Sequence, residues 1–564
     1  MKKKLFILLI IYLFFFQKNF SQNFYLNIEG NTNKETRIIE SLSYLNSHKD
    51  FLSIQNEINN IQNSLYKIGY IENQLTYFKK TNDTVFNAKL NLKTEFKHIY
   101  ISYNKAQVNS TILNSISKDV SNNYFKLNFN QLEKALNTIN ISISEKGKPF
   151  SKLRLSDITK KDATNLKARL IIEGFEQKRT INTIVIKGYT KFPKSYLKHF
   201  LKIKPLQVFN FIKIKEKSKQ LNNLSFCSEI KPPEILFLKD STTLFLYIKK
   251  TKSNTFDGFL GFGTNEQTNK LKFDGYLNLS LTNNLNYGES FKILYKSDEN
   301  NQKTFQIKTS LPFLFKTPIG TDVSLQIFKK DSSFITANQS IKLHYQIHPK
   351  HKIYAGITSS ESNNLLNNNT NNSITDYTTK YSSFAYQYLN QSIYNSLFPI
   401  KSKFYIEGNF GNKKTPSRKE KQTFLNIEAF NIFKLNPKNS IYIRANGSSL
   451  LSNTYFENEL LRFGGINSIR GFEENSLFSN LYGVINTEYR IQLNNTIYLH
   501  SIIDAAYFEN QTNNTKNKLY GYGFGFGVIT NSGLLKLNYA NGKPENQKFK
   551  LSNSKIHISL IAFF

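Results

Sequence analysis

The C-terminal half of the chain alternates apolar and polar side chains with a period of two residues. In the segment LKFDGYLNLSL, which begins at Leu271, the odd-numbered residues are apolar or glycine, and the even-numbered residues are polar or tyrosine. The pattern recurs in about sixteen segments between residues 256 and 564, separated by turns rich in Asn, Ser and Gly. Each segment therefore predicts a β-strand with one apolar face and one polar face.

Two architectures accommodate so many alternating strands. A transmembrane β-barrel needs roughly 9–11 residues for each strand and an even number of strands, so about sixteen strands fit residues 253–564. A soluble β-sandwich also alternates, but it usually holds about seven to nine strands. The last predicted strand ends on an aromatic residue, Phe564, as the strands of outer-membrane barrels do. We therefore predict an all-β transmembrane barrel of about sixteen strands.

The N-terminus has the composition of a secretion signal. In MKKKLFILLIIYLFFFQKNFSQ, three lysines at positions 2–4 precede an unbroken apolar run at residues 5–16. That run is shorter than the roughly 17–25 residues that a membrane-spanning helix needs. Ser21 supplies a small residue before a cleavage point, so residues 1–21 are predicted to be a cleaved signal peptide. The rest of the sequence lacks a run of about 18 apolar residues, which excludes a helical membrane protein.

Composition limits the classes of partner and chemistry. Lys and Arg total 75 against 40 Asp and Glu, which gives a net charge of +35. The lysines are scattered, so we expect no nucleic-acid partner, while contact with anionic lipid headgroups stays open. The single cysteine, Cys227, excludes an intrachain disulfide and a CxxC site. The chain lacks GxSxG, HExxH, P-loop and GxGxxG motifs, so we expect no enzymatic activity, no cofactor and no metal.

Residues 22–252 follow a different pattern, in which helical and alternating segments succeed each other. The stretch FLSIQNEINNIQNSLYKIGY, from Phe51, has apolar residues at spacings of three and four, and two predicted strands follow Gly69. A similar order of strand, helix and strands returns twice, at intervals of about 75 residues. The repeat predicts three α+β modules of the order β-α-α-β-β. Their predicted bounds are residues 22–95, 96–175 and 176–252.

A secretion signal, three such modules and a barrel that contains FGGINSIRGF together resemble the BamA/TamA superfamily of outer-membrane insertases and translocases. The residues that carry this resemblance are Phe463, Gly464, Gly465, Ser468, Arg470, Gly471 and Phe472. The stretches IIDAA, at residues 502–506, and GYGFGFGVITNSGLLKLNYA, from Gly521, extend it over essentially the whole mature chain. The modules then correspond to POTRA domains, and three of them make the chain more similar to TamA than to BamA. Two-partner secretion transporters, with two modules and a plug helix, are less similar.

The resemblance implies that residues 449–480, the sixth extracellular loop, fold back into the barrel and that their arginine meets an acidic residue of the wall. Residue parity in TIYLHSIIDAAY independently places Asp504 on the inner face, and Glu488, one strand earlier, is inward by the same parity. An arginine inside a barrel needs a charge-assisted partner, and a bidentate carboxylate suits it best. Arg470 is therefore predicted to pair with Asp504 or with Glu488, for which Arg490 competes.

Glycines are predicted to shape the loop and the wall beside it. Gly464 and Gly465 would let the loop turn sharply, and Gly471 would let it approach the wall. In LYGYGFGFGV, alternate glycines predict either a bare inner strip for the loop or a bend in the barrel. These strip residues are Gly521, Gly523, Gly525 and Gly527.

The motif around Asp504 departs from the superfamily pattern at both ends. Ile502 stands where the superfamily has an aromatic residue, and Ala506 stands where it has glycine. The departures bear on the packing of the loop more than on the ion pair.

The resemblance also implies a function, namely the insertion or export of client β-proteins through a lateral seam between the first strand, near residues 256–264, and the last, near residues 555–564. The seam residues of the last strand are then Ile556, Ile558, Leu560 and Phe564. Implied partners are outer-membrane lipid, unfolded client proteins received by POTRA modules in the periplasm and, as an option, an inner-membrane-anchored tethering partner. Two alternatives stay open: a two-partner transporter for one dedicated exoprotein, and a passive outer-membrane channel.

Overall fold

The structure, a computed structural model, describes residues 23–175, 178–264, 271–297, 302–366, 373–391, 395–548 and 550–564. The predicted signal peptide, residues 1–21, lies outside the described residues. No helix in these ranges is long and apolar enough to cross a membrane. The chain divides into two compact units: residues up to Thr180 with Val208–Phe211, and Ile181–Gln207 with Ile212–Phe564.

The first module packs two helices against a four-stranded sheet. Asp50 caps the predicted helix, α2, whose buried stripe contains Ile54, Ile58 and Leu65. The sheet order is β2-β1-β4-β3, so β3 is an edge strand, and its residues are mostly exposed. The elements are β1 (Phe24–Gly30), α1 (Asn33–Ser41), β2 (Ser47–His48), α2 (Phe51–Lys67), β3 (Gln74–Lys80) and β4 (Val85–Asn91).

The second module repeats this plan around a five-stranded sheet in the order β6-β7-β5-β9-β8. Its core joins Leu113, Ile139 and Ile143 of the two helices to the inner face of the sheet. The elements are β5 (His98–Ser102), α3 (Ser110–Ile116), β6 (Asp119–Val120), β7 (Tyr124–Asn128), α4 (Leu132–Glu145), β8 (Lys152–Lys160) and β9 (Asn165–Glu173).

The third module has three strands, in the order β10-β12-β11, and belongs to the same compact unit as the barrel. The stretch FPKSYLKHFL contains one π-helical turn, Tyr196–Phe200, in which Tyr196, Leu197 and Phe200 are all buried. The elements are β10 (Thr183–Gly188), α5 (Phe211–Lys219), β11 (Cys227–Phe237) and β12 (Thr242–Lys250).

The remaining strands confirm the predicted barrel. Sixteen strands form one closed barrel in which each strand pairs antiparallel with its neighbours, and β24 (Leu461–Phe463) and β25 (Leu477–Ser479) form a separate ribbon. The barrel strands are β13 (Thr255–Thr264), β14 (Leu271–Thr282), β15 (Ser290–Ser297), β16 (Gln302–Leu311), β17 (Ile319–Lys330), β18 (Phe334–His348), β19 (His351–Asn364), β20 (Tyr377–Gln391), β21 (Ile400–Lys414), β22 (Lys419–Lys434), β23 (Asn439–Ser452), β26 (Leu481–Gln492), β27 (Ile497–Asn510), β28 (Thr515–Thr530), β29 (Gly533–Pro544) and β30 (Ser554–Phe563).

Side chains alternate between the two faces of the barrel wall. On β27, Leu499 and Ile503 are 43% and 55% exposed, whereas Tyr498 and Asp504 are 4% and 1% exposed. The first pair points away from the barrel axis, and the second pair points into the lumen.

The two ends of the barrel differ. We call one end the module-side rim; it includes the turns at residues 283–289, 312–318, 349–350 and 435–438, and the first two of these contact the third module. Asn283 Nδ2 donates to the Tyr189 hydroxyl at 2.8 Å, and the Lys316 carbonyl lies 2.8 Å from His199 Nε2. The opposite rim carries the long connection from β23 to β26, residues 453–480, which we call the inner loop.

Candidate functional site

Glycines turn the inner loop where it enters the barrel. Gly464 and Gly465 follow β24 with φ angles of 110° and 94°, which other residues rarely adopt. A Cβ on Gly465 would lie 2.0 Å from the Glu474 carboxylate, so that side chain would have to move to admit one. The sharp turn directs residues 466–476 toward the wall formed by β26 to β29.

The structure places Arg470 against both predicted carboxylates. Its Nε and Nη2 donate to the two oxygens of Asp504 at 2.8 and 2.6 Å, and its backbone N–H also donates to Asp504 at 3.0 Å. Its Nη1 donates to Glu488. The three side chains are between 1% and 7% exposed. Burial alone would lower the pKa of Arg470, but the Asp504 hydrogen bonds and the Glu488 charge outweigh burial and raise it.

Arg490 shares Glu488 with Arg470. Its Nη2 lies 2.7 Å from the second Glu488 oxygen, and its guanidinium lies over the Tyr442 ring at 4.0 Å. Two arginines thus face two carboxylates, and the buried cluster has no net charge. Charge balance of this kind is what makes burial of four ionised groups tolerable.

Glycine contacts bring the loop backbone onto the wall. Gly471 has a φ of 89°, and a Cβ there would lie 2.3 Å from the Gly542 nitrogen. A Cβ on Gly521, which pairs with Gly542 across β28 and β29, would lie 2.4 Å from the Arg470 carbonyl oxygen. Phe472 then packs beside Gly542 and joins an apolar cluster that contains Phe463.

The rest of the predicted glycine strip does not contact the loop. Gly523 faces the Tyr539 carbonyl of the neighbouring strand, while Gly525 faces His500 and Asn538. Gly527 faces the Tyr498 ring. The strip therefore receives the loop at Gly521, because the backbone of β29 lies beside Gly523 and wall side chains fill the space beside Gly525 and Gly527. Gly542 was missed, since its role depends on which strands stand side by side and on their register.

Replacing Gly521 by valine is expected to push the inner loop off the wall, because the new side chain would occupy the place of the Arg470 carbonyl. Overpacking of this kind costs about 1–3 kcal/mol. Faster cleavage of the loop by added protease measures the effect. Gly483→Val is the matched control, since nothing lies within 4 Å of a Cβ at that position. Equal protease resistance of the two variants would contradict the assigned contact.

A second ion-pair cluster holds the start of the inner loop. Lys413 of β21 is fully buried, and its ammonium lies 2.8 Å from Glu459 of the loop and 2.9 Å from Glu420 of β22. Lys330 of β17 also pairs with Glu457 of the loop at 2.6 Å. Sequence analysis missed this cluster, although parity alone places Lys413 inward, where a lysine needs an acidic partner.

Two consecutive glutamates of the loop contact strands on opposite sides of the junction between β30 and β13. Glu473 lies 3.0 Å from Lys555 of β30, and Glu474 lies 3.3 Å from Lys296 of β15. These pairs are partly exposed, so each is worth less than about 1 kcal/mol. Together they connect the loop to both sides of this junction.

The junction itself, which we call the seam, is short. Among the residues that the structure describes, β13 and β30 pair at Thr255↔Phe563 and Phe256↔Ala562, whereas β30 pairs with β29 from Gly533↔Ala562 to Asn541↔Ser554. A cavity of about 960 Å³ reaches from Arg470 and Glu488 to the residues of both seam strands. Along β30, the predicted seam residues Ile556, Ile558 and Leu560 are 66%, 68% and 44% exposed, and Phe564 donates its N–H to Asn254.

Comparisons with known proteins agree with this geometry. A model of the Omp85 superfamily domain matches residues 262–560. CdiB from Escherichia coli has a TM-score of 0.56 at 13% identity, over 90% of this chain and 98% of that chain. CdiB from Acinetobacter baumannii has a TM-score of 0.52 at 16% identity, over 82% of this chain and 89% of that chain.

BamA from Haemophilus ducreyi lacking POTRA domains 1–3 also matches, with a TM-score of 0.47 at 14% identity, over 77% of this chain and 93% of that chain. No curated protein matches the chain. The family model nevertheless spans more than half of the 564 residues, which confirms the resemblance to the BamA/TamA superfamily. The chain belongs to the Omp85 superfamily.

Proposed function

We propose that this outer-membrane protein inserts or exports client β-proteins through a lateral opening between β13 and β30. Membership of the Omp85 superfamily supports a role in outer-membrane protein insertion or translocation. The lateral route is supported above all by the seam, where two residue pairs join β13 and β30, although each strand is ten residues long. The route needs neither a catalytic group nor a cofactor.

The physics of a barrel in lipid explains why so short a seam matters. Backbone N–H and C=O groups that lack partners in the hydrocarbon region cost several kcal/mol each, so barrels normally close along the full strand length. A strand edge that keeps only two pairs is therefore the place where a client strand gains most by pairing. Such strand addition is a general mode of recognition.

The α/β modules supply further edges for clients. β3 of the first module lies at the edge of its sheet, and most of its residues are exposed. We propose that the modules lie in the periplasm and receive extended client segments by the same kind of strand addition. An inner-membrane-anchored tethering partner, as in TamA-like systems, would act at these modules.

A second candidate is a transporter dedicated to one exoprotein. The likeness to CdiB from Escherichia coli, over 90% of the chain, favours it. The three modules favour the insertase, since two-partner transporters carry two. A passive channel is less favoured than either, because it needs no modules and no loop fixed inside its lumen.

Depletion of the protein, followed by quantification of the outer-membrane and secreted proteomes, tests the proposal. We expect a set of outer-membrane β-proteins to fall while their synthesis continues. Loss of one secreted protein alone would support the dedicated transporter instead. Two unchanged proteomes would contradict both functions.

A further inference from the structure

The third module is fixed to the module-side rim by aromatic and polar contacts. The Tyr189 hydroxyl donates to Asn286 at 2.7 Å, and the ring of Phe313 meets the Tyr196 ring edge-on with centroids 4.9 Å apart. His199 stacks on the other side of Phe313, with centroids 5.5 Å apart. These contacts lie within one compact unit, so they define which surface of the module stands beside the barrel wall.

The turn between β16 and β17 presents one phenylalanine to the outside. Phe313, Phe315 and Lys316 adopt left-handed backbone conformations, with φ angles of 55°, 50° and 61°. Each such residue other than glycine costs of order 1 kcal/mol, and such strain is found where a function requires it. Phe313 is 7% exposed between its aromatic neighbours, but Phe315 is 93% exposed. The anchored turn therefore holds an apolar ring away from the protein.

The surface around Phe315 belongs to the lipid-facing side of the barrel. Leu311, the last residue of β16, and Ile319, the first residue of β17, are 37% and 43% exposed on the outer face. Phe315 lies between them in the turn, so its ring extends the apolar band beyond the ends of the strands. At this depth a ring meets the boundary between acyl chains and headgroups.

A lysine of the third module reaches the same boundary. Lys202 Nζ donates to the Ile347 carbonyl at 2.9 Å. Ile347 ends the outward row of β18, in which Ile341 and Leu343 are 60% and 53% exposed. The ammonium group thus stands at the foot of a lipid-facing row, where headgroup phosphates lie.

More positive charge surrounds Lys202. Lys217 Nζ donates to the Lys202 carbonyl at 2.5 Å. Burial lowers the pKa of Lys217, and the positive charges of Lys202, Lys213 and Lys204 lower it further. Burial and these three positive charges all disfavour the charged form of Lys217, and an anionic ligand would relieve the repulsion.

We propose that Lys202, Lys204, Lys217 and Lys316, together with Phe315, form a binding surface for anionic phospholipid headgroups at the module-side rim. We call it the basic rim patch. Headgroup phosphates neutralise the lysines while the Phe315 ring enters the acyl region. The patch would fasten the third module to the membrane beside β16, β17 and β18, independently of what the barrel transports.

The absence of tryptophan from the chain permits a direct test. The full chain with Phe315→Trp is reconstituted into phosphatidylcholine and phosphatidylglycerol vesicles, with or without bromine on the acyl chains. Phe384→Trp, on the outer face at 58% exposure, is the lipid reference, and Tyr405→Trp, in the lumen, is the water reference. We expect brominated chains to remove most of the fluorescence at residue 315, as they do at residue 384. Quenching no greater than at residue 405 would overturn the proposal, because it would place the ring outside the acyl region.

The charge requirement is tested in the Phe315→Trp background by energy transfer to dansyl-labelled lipid. We expect stronger transfer to labelled phosphatidylglycerol than to labelled phosphatidylcholine. Each of Lys202→Gln, Lys204→Gln and Lys217→Gln should lower that preference by about fivefold at most, and arginine at the same positions should keep it. Lys434→Gln with Lys438→Gln, at the same rim near β22 and β23, is the matched control. If the preference for phosphatidylglycerol is as large in the three glutamine variants as in the control variant, the anionic-lipid assignment is overturned.

Discussion

Replacing Arg470 by alanine is expected to release the inner loop from the barrel wall. Asp504, which is 1% exposed, receives three hydrogen bonds from Arg470 and would lose the two from the side chain. Removal of one partner from a buried ion pair costs about 3–5 kcal/mol, because the other charge stays desolvated without compensation. We expect the free energy that holds the loop against the wall to fall by an amount in this range. Arg490 still compensates the charge of Glu488, so Asp504 is the carboxylate that is left unpaired.

Thiol labelling measures the release directly. Ser468→Cys, two residues before Arg470, introduces a thiol at a position that is 9% exposed, and the native Cys227 is fully buried and stays silent. The expected loss corresponds to labelling that is about 100-fold faster or more in the alanine variant. An unchanged labelling rate would show that the ion pair does not hold the loop.

Two further variants separate charge from geometry. Arg470→Lys keeps the positive charge but loses the planar fork that meets both Asp504 oxygens, so an intermediate labelling rate is expected. Arg470→Met combined with Asp504→Asn removes one buried charge of each sign and leaves Glu488 paired with Arg490, and we expect it to regain part of the lost stability. If this double variant is no more stable than the alanine variant, shape rather than charge fixes the loop.

Residue parity along the strands predicted much of this site. It placed Asp504 and Glu488 in the lumen without any knowledge of the fold, because alternate residues of a strand point to opposite faces. The resemblance to the superfamily placed Arg470 inside the barrel, and the need of a buried arginine for a carboxylate then connected both residues to it. The number of strands followed from the same period of two, repeated over the C-terminal half of the chain.

Parity does not say which residues stand at the same height on neighbouring strands. The contact of Gly471 with Gly542 depends on the register of β28 and β29, and the cluster of Lys413 with Glu459 depends on where the loop crosses the lumen. The seam is the clearest case, since β13 and β30 lie at opposite ends of the barrel sequence. Such long-range register is set by the closure of the whole barrel and not by either strand alone.

A disulfide across the seam is expected to stop the insertion of clients. Phe256 and Ala562 are paired antiparallel residues, and Cα atoms in such pairs lie about 4.5–5.5 Å apart, within the range that a disulfide accepts. Phe256→Cys with Ala562→Cys therefore joins the two strands without a change of register. Vesicles that contain the oxidised variant are then given an unfolded outer-membrane β-barrel protein as the client. If clients pass between β13 and β30, the rate of client insertion should fall to the rate in vesicles without the Omp85 protein. Reduction with dithiothreitol should restore it.

The matched control places a disulfide where no opening is proposed. Leu535 of β29 and Leu560 of β30 are also paired residues, in a junction that is hydrogen-bonded along most of its length. Leu535→Cys with Leu560→Cys should leave insertion unchanged in the oxidised state. A loss of insertion in both variants would point to damage of β30 itself and not to a closed gate.

The locked seam also separates the two candidate functions. A transporter that moves one exoprotein through the lumen does not need to part β13 from β30, but it must move the inner loop, which Arg470 and Lys413 hold at two separate clusters. Export that survives the oxidised seam but is blocked by a disulfide between the loop and the wall would therefore favour the lumenal route. Insertion that continues at full rate through the oxidised seam contradicts the lateral mechanism, because β13 and β30 would then be unable to part.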